Sequence, residues 1–342
     1  MAAPPSPRPP VMVLPFPAQG HVMPLMELSH RLVAHGLEVD FVNTHYNHDR
    51  ALKAMAVERG AVDPDGMHMV SLPDGMGPDG DRTDIALLGS GLPAAMLGPL
   101  EEMIRSKKIK WVIADASMCW AMELAATAGV RVALFSTFSA AVFALRLHVP
   151  KLIDDGVLDE SAFGSFTVFD AARIQELADG LELTGRPFLW AVRPNITAGI
   201  GEDWFDAFKR RVEGKGLVVG WAPQQRVLSH PAVACFVSHC GWNSTMEGML
   251  HGVPFLCWPY FADQFANQSY ICNVWGTGVK VHADERGVVT KEEIKNKVEL
   301  LLGDDGIKAR AATWKGAASA SIAQGGSSDH NLLKLVKFLT QQ

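Results

Sequence analysis

Ala234-Cys235-Phe236-Val237-Ser238-His239-Cys240-Gly241-Trp242-Asn243-Ser244-Thr245-Met246-Glu247 runs from a short apolar stretch, through a glycine turn, into residues with helical spacing. The same order recurs at once. Val253 to Trp258 reads as a strand, Pro259-Tyr260-Phe261-Ala262-Asp263 as a loop, and Gln264 to Val274 as a helix. Strand, turn, helix and strand in alternation is the pattern of a parallel α/β sheet. Working outward, further strands are predicted near Pro187 to Val192, Gly216 to Val219 and Gly278 to Val281. Helices are predicted over Ala171 to Leu183, Ser244 to His251, Lys291 to Leu302 and from Asn331 onward. The first half repeats the pattern, with strands at Val11 to Phe16, Leu37 to Asn43, Met67 to Leu72, Trp111 to Ala114 and Arg131 to Phe135. Several are apolar along most of their length, as strands buried on both faces are. Val22, Leu25, Met26, Leu28 and Leu32 share one helical face, and Gly36 stops that helix. The expected fold class is α/β, with two Rossmann-like doubly wound domains, residues 1–161 and 162–342. Their boundary falls in the polar stretch Asp154 to Ser165.

Composition narrows the function classes. A chain of 342 residues suits two domains of ordinary size. Lys plus Arg is 31 and Asp plus Glu is 37, a net charge of −6, which lacks the basic footprint of a nucleic-acid binder. Hydrophobic residues are 48% of the chain, enough to fill large cores. No uninterrupted apolar run reaches the length of a membrane span. The opening Met1-Ala2-Ala3-Pro4-Pro5-Ser6-Pro7 is a proline-rich tail without the apolar stretch of a signal peptide. Five scattered Cys form no disulfide framework and read as reduced thiols. A cytoplasmic monomer is expected.

Ligands of open α/β sheets bind beyond the carboxyl ends of the strands, at a cleft between two such domains when both carry polar groups there. After the first strand comes Pro17-Ala18-Gln19-Gly20-His21, and after the fourth Asp115. His21 alone reads more readily as a capping or packing residue. Paired with an aspartate at a neighbouring strand end, it can serve as a general base held in one tautomer. No Gly-x-Ser-x-Gly elbow supplies a nucleophilic serine, so a His-Asp pair suits deprotonation of a substrate hydroxyl. Gly241-Trp242-Asn243-Ser244-Thr245 joins a glycine turn to a helix start, whose N–H groups and dipole favour a diphosphate. An ordinary N-cap by Asn243 or Ser244 explains the same residues equally well. His239 can add a hydrogen bond to phosphate. Glu247 can accept two ribose hydroxyls, or stand as a solvated helix residue. Other motifs fail: no Gly-x-Gly-x-x-Gly follows the first strand, there is no P-loop, and Cys235, His239 and Cys240 lack zinc-ligand spacing. Asp63-Pro64-Asp65 and Asp79-Gly80-Asp81 read as turns rather than a metal site.

Trp221-Ala222-Pro223-Gln224-Gln225, His230-Pro231, His239-Cys240-Gly241-Trp242-Asn243-Ser244, Glu247 and Asp263-Gln264 together resemble the signature box of plant UDP-glycosyltransferases. Pro17-Ala18-Gln19-Gly20-His21 with Pro24 resembles that family's catalytic histidine segment, and Val112-Ile113-Ala114-Asp115 its partner aspartate segment. Gly164-Ser165 is similar to its second diphosphate loop, and Gly325-Gly326-Ser327-Ser328 to its C-terminal turn. The resemblance implies a GT-B fold, in which an N-terminal acceptor domain and a C-terminal UDP-sugar domain face each other across a cleft. By position it implies Trp221 stacked on uracil, with the Ala222 backbone and Gln224 at the base and ribose. It implies Glu247 on the ribose hydroxyls, and His239, Asn243, Ser244 and Ser165 on the diphosphate. Asp263 and Gln264 would take the sugar hydroxyls, with Trp242 nearby. Gln264 at the last box position is similar to glucose-using members, so UDP-glucose is the implied donor. No metal is expected, because the helix terminus and His239 can stabilise departing UDP. The implied chemistry is proton removal by His21, oriented by Asp115, and inverting attack that gives a β-glucoside. The implied acceptor is a small, largely apolar hydroxyl compound of phenolic or flavonoid type, as in plant secondary metabolism.

Relatives of this kind are longer by on the order of a hundred residues, a domain-sized excess. The shortfall is expected between about His148 and Phe163, through deletion in splicing or in the gene model, and it reduces the strand before Gly164 to Ala162-Phe163. The N-terminal domain and the start of the C-terminal domain are therefore expected to be incomplete, with unpaired sheet edges and exposed apolar surface. Two readings follow: an active UDP-glucose transferase, or a catalytically impaired form that retains UDP-sugar binding.

Overall fold

The structure, a computed structural model, describes residues 9–48, 65–77, 79–82, 84–155, 171–192 and 200–341. Two compact units emerge: Met1–Thr137 with Ser327–Gln342, and Phe138–Gly326. The 161/162 division expected from sequence lies outside the described residues.

The first unit is built on five parallel strands: β1 Pro10–Leu14, β2 Glu38–Thr44, β3 Met67–Leu72, β4 Trp111–Asp115 and β5 Arg131–Phe135, in the order β3-β2-β1-β4-β5. The register sets Met12 beside Val112 and Val13 beside Ile113. Alternation then sorts the side chains onto two faces. Met12, Leu14, Val42, Val112 and Ala114 face one core, with Leu88, Leu92, Met96, Leu100 and Ile104 of helix α2 (Ile85–Lys107). Val11, Val13, Val39, Phe41 and Ile113 face the other, with Leu25 and Leu32 of helix α1 (Gln19–Ala34). Each of the larger of these side chains contributes roughly 1.5–3 kcal/mol on burial, which is why the core-facing strand positions are apolar. Helix α1 ends before Gly36, whose φ of +84° is the left-handed turn that a glycine stop provides. Helix α2 is capped by Asp84, whose carboxylate accepts the Leu87 N–H at 2.9 Å. Gly89, Gly91, Pro93, Gly98 and Pro99 lie within it, yet Leu88, Leu92, Met96, Leu100 and Ile104 form an unbroken i, i+4 apolar row. Helix α3 (Ala121–Ala128) completes this half.

Helix α4 (Ala140–Asp154) begins the second unit. There follow α5 (Ala171–Leu183), β6 (Phe188–Ala191), α6 (Glu202–Arg211), β7 (Gly216–Val219), α7 (Gln224–Leu228), β8 (Phe236–Ser238), α8 (Trp242–His251) and β9 (Phe255–Cys257). Next come α9 (Gln264–Ser269), which runs on as a π-helical turn over Tyr270–Val274, then β10 (Gly278–Lys280), α10 (Lys291–Gly303) and α11 (Asp305–Ile322). All pairings are parallel, but the strands form two pieces, β6-β7 and β10-β9-β8. No strand among the described residues joins them, and Ala162-Phe163 lies outside those residues. Leu189 on β6 and Leu217 on β7 are 43% and 57% exposed, and Leu134 on the edge strand β5 is 42% exposed.

The last helix, α12 (Ser327–Thr340), starts four residues before the expected Asn331 and returns to the first unit, where Leu339 is buried with Leu335 and Val336 beside it. The turn before it requires glycine. Gly325 has φ +79°, and a Cβ on Gly326 would lie 2.3 Å from the carbonyl oxygens of Ala320 and Ser321.

Candidate active site

Parallel pairing of β1 with β4 brings the end of β4 beside the loop that leaves β1. That loop, Pro15 to Ala18, feeds α1, and His21 falls in its first turn. Asp115 is the last residue of β4, with a side chain only 1% exposed, whereas His21 is 20% exposed. His21 Nδ1 lies 2.8 Å from Asp115 Oδ2. The other carboxylate oxygen, Oδ1, accepts the Ser117 N–H at 2.8 Å. A carboxylate only accepts, so the contact puts the imidazole proton on Nδ1 and the lone pair on Nε2. Phe16, buried in the sheet core, packs its ring 5.4 Å from the imidazole. Thr137, just past β5, places Oγ1 3.1 Å from the same Nδ1. Sequence offered no sign of Thr137 beyond its place at the same carboxyl edge of the sheet.

In the second unit β8 ends at Ser238 and α8 starts at Trp242. Cys240 between them has φ +65°, and its N–H donates to Ser238 Oγ at 3.0 Å. Gly241 is the N-cap, and no side chain caps the helix. The Asn243 or Ser244 cap allowed by sequence is therefore not formed: the left-handed Cys240 starts the helix earlier and puts both residues inside its first turn. A Cβ on Gly241 would sit 2.5 Å from His239 Nε2, so glycine is what lets the imidazole lie against the turn. The His239 ring is 5.9 Å from that of Tyr260.

Gln224 opens α7, and its amide donates to Ser244 Oγ at 3.0 Å and to Glu247 Oε2 at 2.7 Å. Gln225 donates to Glu247 Oε1 at a longer 3.4 Å. Three of the expected donor-binding positions, Gln224, Ser244 and Glu247, are thereby joined. Trp221, after β7, is 57% exposed. Gln264 Oε1 accepts the N–H groups of Tyr260 and Phe261, each at 2.9 Å, so its carbonyl is occupied within its own loop and its amide NH₂ is the part left to meet a ligand. The Trp242 ring lies 6.5 Å from that of Trp275, in a row that continues to Trp314. Ser165 lies outside the described residues.

Beneath these loops lie Cys240 and Cys257, both buried. Hydrogen bonds with the Cys240 and Cys272 thiols, together with burial, push the Cys257 thiol up, which removes it as a nucleophile at neutral pH. Burial likewise pushes Cys235 up to about 11. Asp79-Gly80-Asp81 does form turns, with the Gly80 N–H on the Gly77 carbonyl at 3.0 Å, while Asp63 and Pro64 lie outside the described residues. Among the described residues no group of three or more His, Cys, Asp or Glu is placed to hold a metal ion.

Residues 156–314 match the family described as UDP-glucoronosyl and UDP-glucosyl transferase, and residues 10–70 the glycosyltransferase N-terminal domain. UDP-glycosyltransferase 83A1 of Arabidopsis thaliana is 31% identical over 464 aligned residues, covering 98% of this chain and 97% of the relative. This chain belongs to the plant UDP-glycosyltransferase family. It is a glycosyltransferase, and because the alignment is longer than its 342 residues it is a shorter member than its full-length relatives. The DIMBOA UDP-glucosyltransferase BX8 of Zea mays is 42% identical over 181 residues, 51% of this UDP-glycosyltransferase and 39% of the maize protein. The fold matches that of Os79 from O. sativa, solved in complex with UDP, at a TM-score of 0.81 and 24% identity over 96% of this chain and 100% of that one. The GT-B architecture is thus established. No helix among the described residues is long and apolar enough to cross a membrane.

Proposed function

We propose that this UDP-glycosyltransferase moves glucose from UDP-glucose to a hydroxyl of a small apolar acceptor of phenolic or flavonoid type, with inversion to a β-glucoside. The contact of His21 Nδ1 with Asp115 Oδ2 at 2.8 Å carries the reading, because it leaves Nε2 as the basic nitrogen of a histidine backed by a buried negative charge. His21 Nε2 takes the acceptor proton, the acceptor oxygen bonds to the anomeric carbon, and the bond from that carbon to the diphosphate oxygen breaks. Asp115 stabilises the imidazolium. UDP leaves toward His239 and the N–H groups at the start of α8, which meet its growing charge without a metal. Ser244 and Asn243, with Ser165, serve the diphosphate. Gln224, Glu247, Trp221 and the Ala222 backbone serve the nucleoside, and Asp263 and Gln264, near Trp242, the sugar.

Residues 1–161 would then bind the acceptor and 162–342 the donor. Named relatives support the sugar and a small hydroxylated acceptor: two are 7-deoxyloganetin glucosyltransferases. The thiols, all free in this structure, suit work in the reducing cytoplasm. Calorimetric titration of the purified chain with UDP-glucose, with Glu247→Ala as control, tests the reading. Saturable binding lost in the variant, followed by UDP release with hydroxyl acceptors, is expected. Binding without release would leave the impaired, donor-binding form. A folded chain that does not bind UDP-glucose would end the transferase assignment for it.

A further inference from the structure

Asn267 lies on α9 with no exposed surface at all. Its side-chain amide has two hydrogens, and each meets an acceptor from a different loop. Nδ2 donates to the Cys240 carbonyl at 2.9 Å and to Asp263 Oδ2 at 2.6 Å. Both acceptors are oxygens, so the orientation of the amide is fixed by chemistry: only the NH₂ can serve them. The other end, Oδ1, is buried without a hydrogen-bond partner. A fully buried amide that leaves its acceptor unmatched in order to make these two bonds is held there by the two loops it joins.

The loops are the ones that the proposed donor site uses. Cys240 has φ +65°, a left-handed conformation unfavourable for a residue with a side chain, and it sets the direction of the peptide that leads into Gly241 and α8. Asp263 follows Ala262, a second residue with positive φ, at +51°. Neither turn is favoured by its own backbone, and one amide anchors both.

We infer that Asn267 is a positioning residue for the sugar donor, locking the diphosphate turn at Cys240-Gly241 to the Asp263 carboxylate so that the diphosphate and the sugar of a nucleoside-diphosphate sugar are held in one register. The inference rests on the donor site proposed above. Asn267 touches no reacting atom; it acts through Asp263 and the turn. A carboxylate in its place at neutral pH would offer no proton and would face Asp263 with like charge. Protonated, it would donate again, to Asp263.

The test is titration with UDP and with UDP-glucose of the wild type, Asn267→Ala, Asn267→Asp, Asp263→Ala and the Asn267→Ala/Asp263→Ala pair, with thermal melting to show that each is folded. Asn267→Ala is expected to weaken UDP-glucose about tenfold or more, and UDP by only about threefold. Adding Asp263→Ala to it should cost less than about threefold further, because the two act as one unit. Asn267→Asp should recover affinity for UDP-glucose by about tenfold as pH falls from 8 to 5.5, relative to wild type. A folded Asn267→Ala with wild-type affinity, fully multiplicative losses in the pair, or a flat pH profile for Asn267→Asp would each overturn the inference. If Asn267→Ala does not fold, Asn267→Ser, which can satisfy only one of the two acceptors, carries the same comparison. Failure of the wild type to bind UDP-glucose would instead overturn the donor site itself, and the positioning role with it.

Discussion

Asp115 and Glu247 are the two carboxylates on which the proposed chemistry turns, and they are held in opposite ways. Asp115 is buried, and its oxygens go to a backbone N–H and to the imidazole that it orients. Such a carboxylate has one arrangement and is ready before any ligand arrives. Glu247 is met by two side-chain amides, from Gln224 at 2.7 Å and Gln225 at 3.4 Å. Those bonds can be exchanged for ribose hydroxyls with little net change in hydrogen bonding, so the donor set is in place but not committed. On the proposed function, the part that moves a proton is fixed by its own hydrogen bonds, and the part that takes the nucleotide exchanges partners.

The comparison breaks most visibly at His21. His21→Ala should lower kcat by about 10²–10⁴-fold while leaving UDP-glucose affinity within about twofold, as read by steady-state assay and calorimetry. A large loss of donor affinity would mean that the histidine belongs to binding instead. A smaller effect sharpens the second half. Gln224→Ala, which removes the short bond to Glu247 and the one to Ser244, should weaken UDP-glucose about tenfold, and Gln225→Ala by no more than about threefold. The reverse order would show that the long contact is the one that counts.

An effect on stability rather than on function concerns Asp74, a carboxylate held as firmly as Asp115 but without a proposed chemical role. Burial pushes its carboxyl up. The Arg82 hydrogen bonds, the Met76 N–H and the Arg82 charge outweigh that and bring it below its ordinary value. A lowered carboxyl contributes stability above its unfolded pKa of ~3.9 and loses it as pH falls through the lower folded value. Arg82→Ala should therefore cost on the order of 1–3 kcal/mol at pH 7 by denaturant unfolding, with the gap to wild type closing below about pH 4. A gap that persists in acid would assign the loss to packing of the Arg82 side chain against Tyr46, whose ring centroid is 4.9 Å from the guanidinium carbon.

Sequence made the strands legible through their apolar runs, on edge strands as well as central ones. Met67–Leu72, Arg131–Phe135 and Gly216–Val219 match the expected bounds, and His21 and Asp115 follow from the rule that ligands gather at strand ends. Helix α2 forms although its prolines and glycines speak against a helix, because burial of Leu88 through Ile104 outweighs them. The true start of α8 was not legible, since it depends on a left-handed Cys240 that no propensity favours. Thr137 and Asn267 had no pattern to betray them. One is a hydroxyl just past a strand and the other an amide within a helix, and their value lies only in what the fold brings to them.

Helix α12 gives the molecule an order of assembly. The strands β1 to β5 leave the ribosome first, yet part of their apolar face is covered by Leu335, Val336 and Leu339, which are made only after the whole of Phe138–Gly326. At ~5–20 residues per second that interval lasts on the order of tens of seconds. For that time the nascent first unit must wait with part of this apolar cluster uncovered, while the inserted unit has all its own chain at hand. The half of the protein that begins first is the one that finishes last.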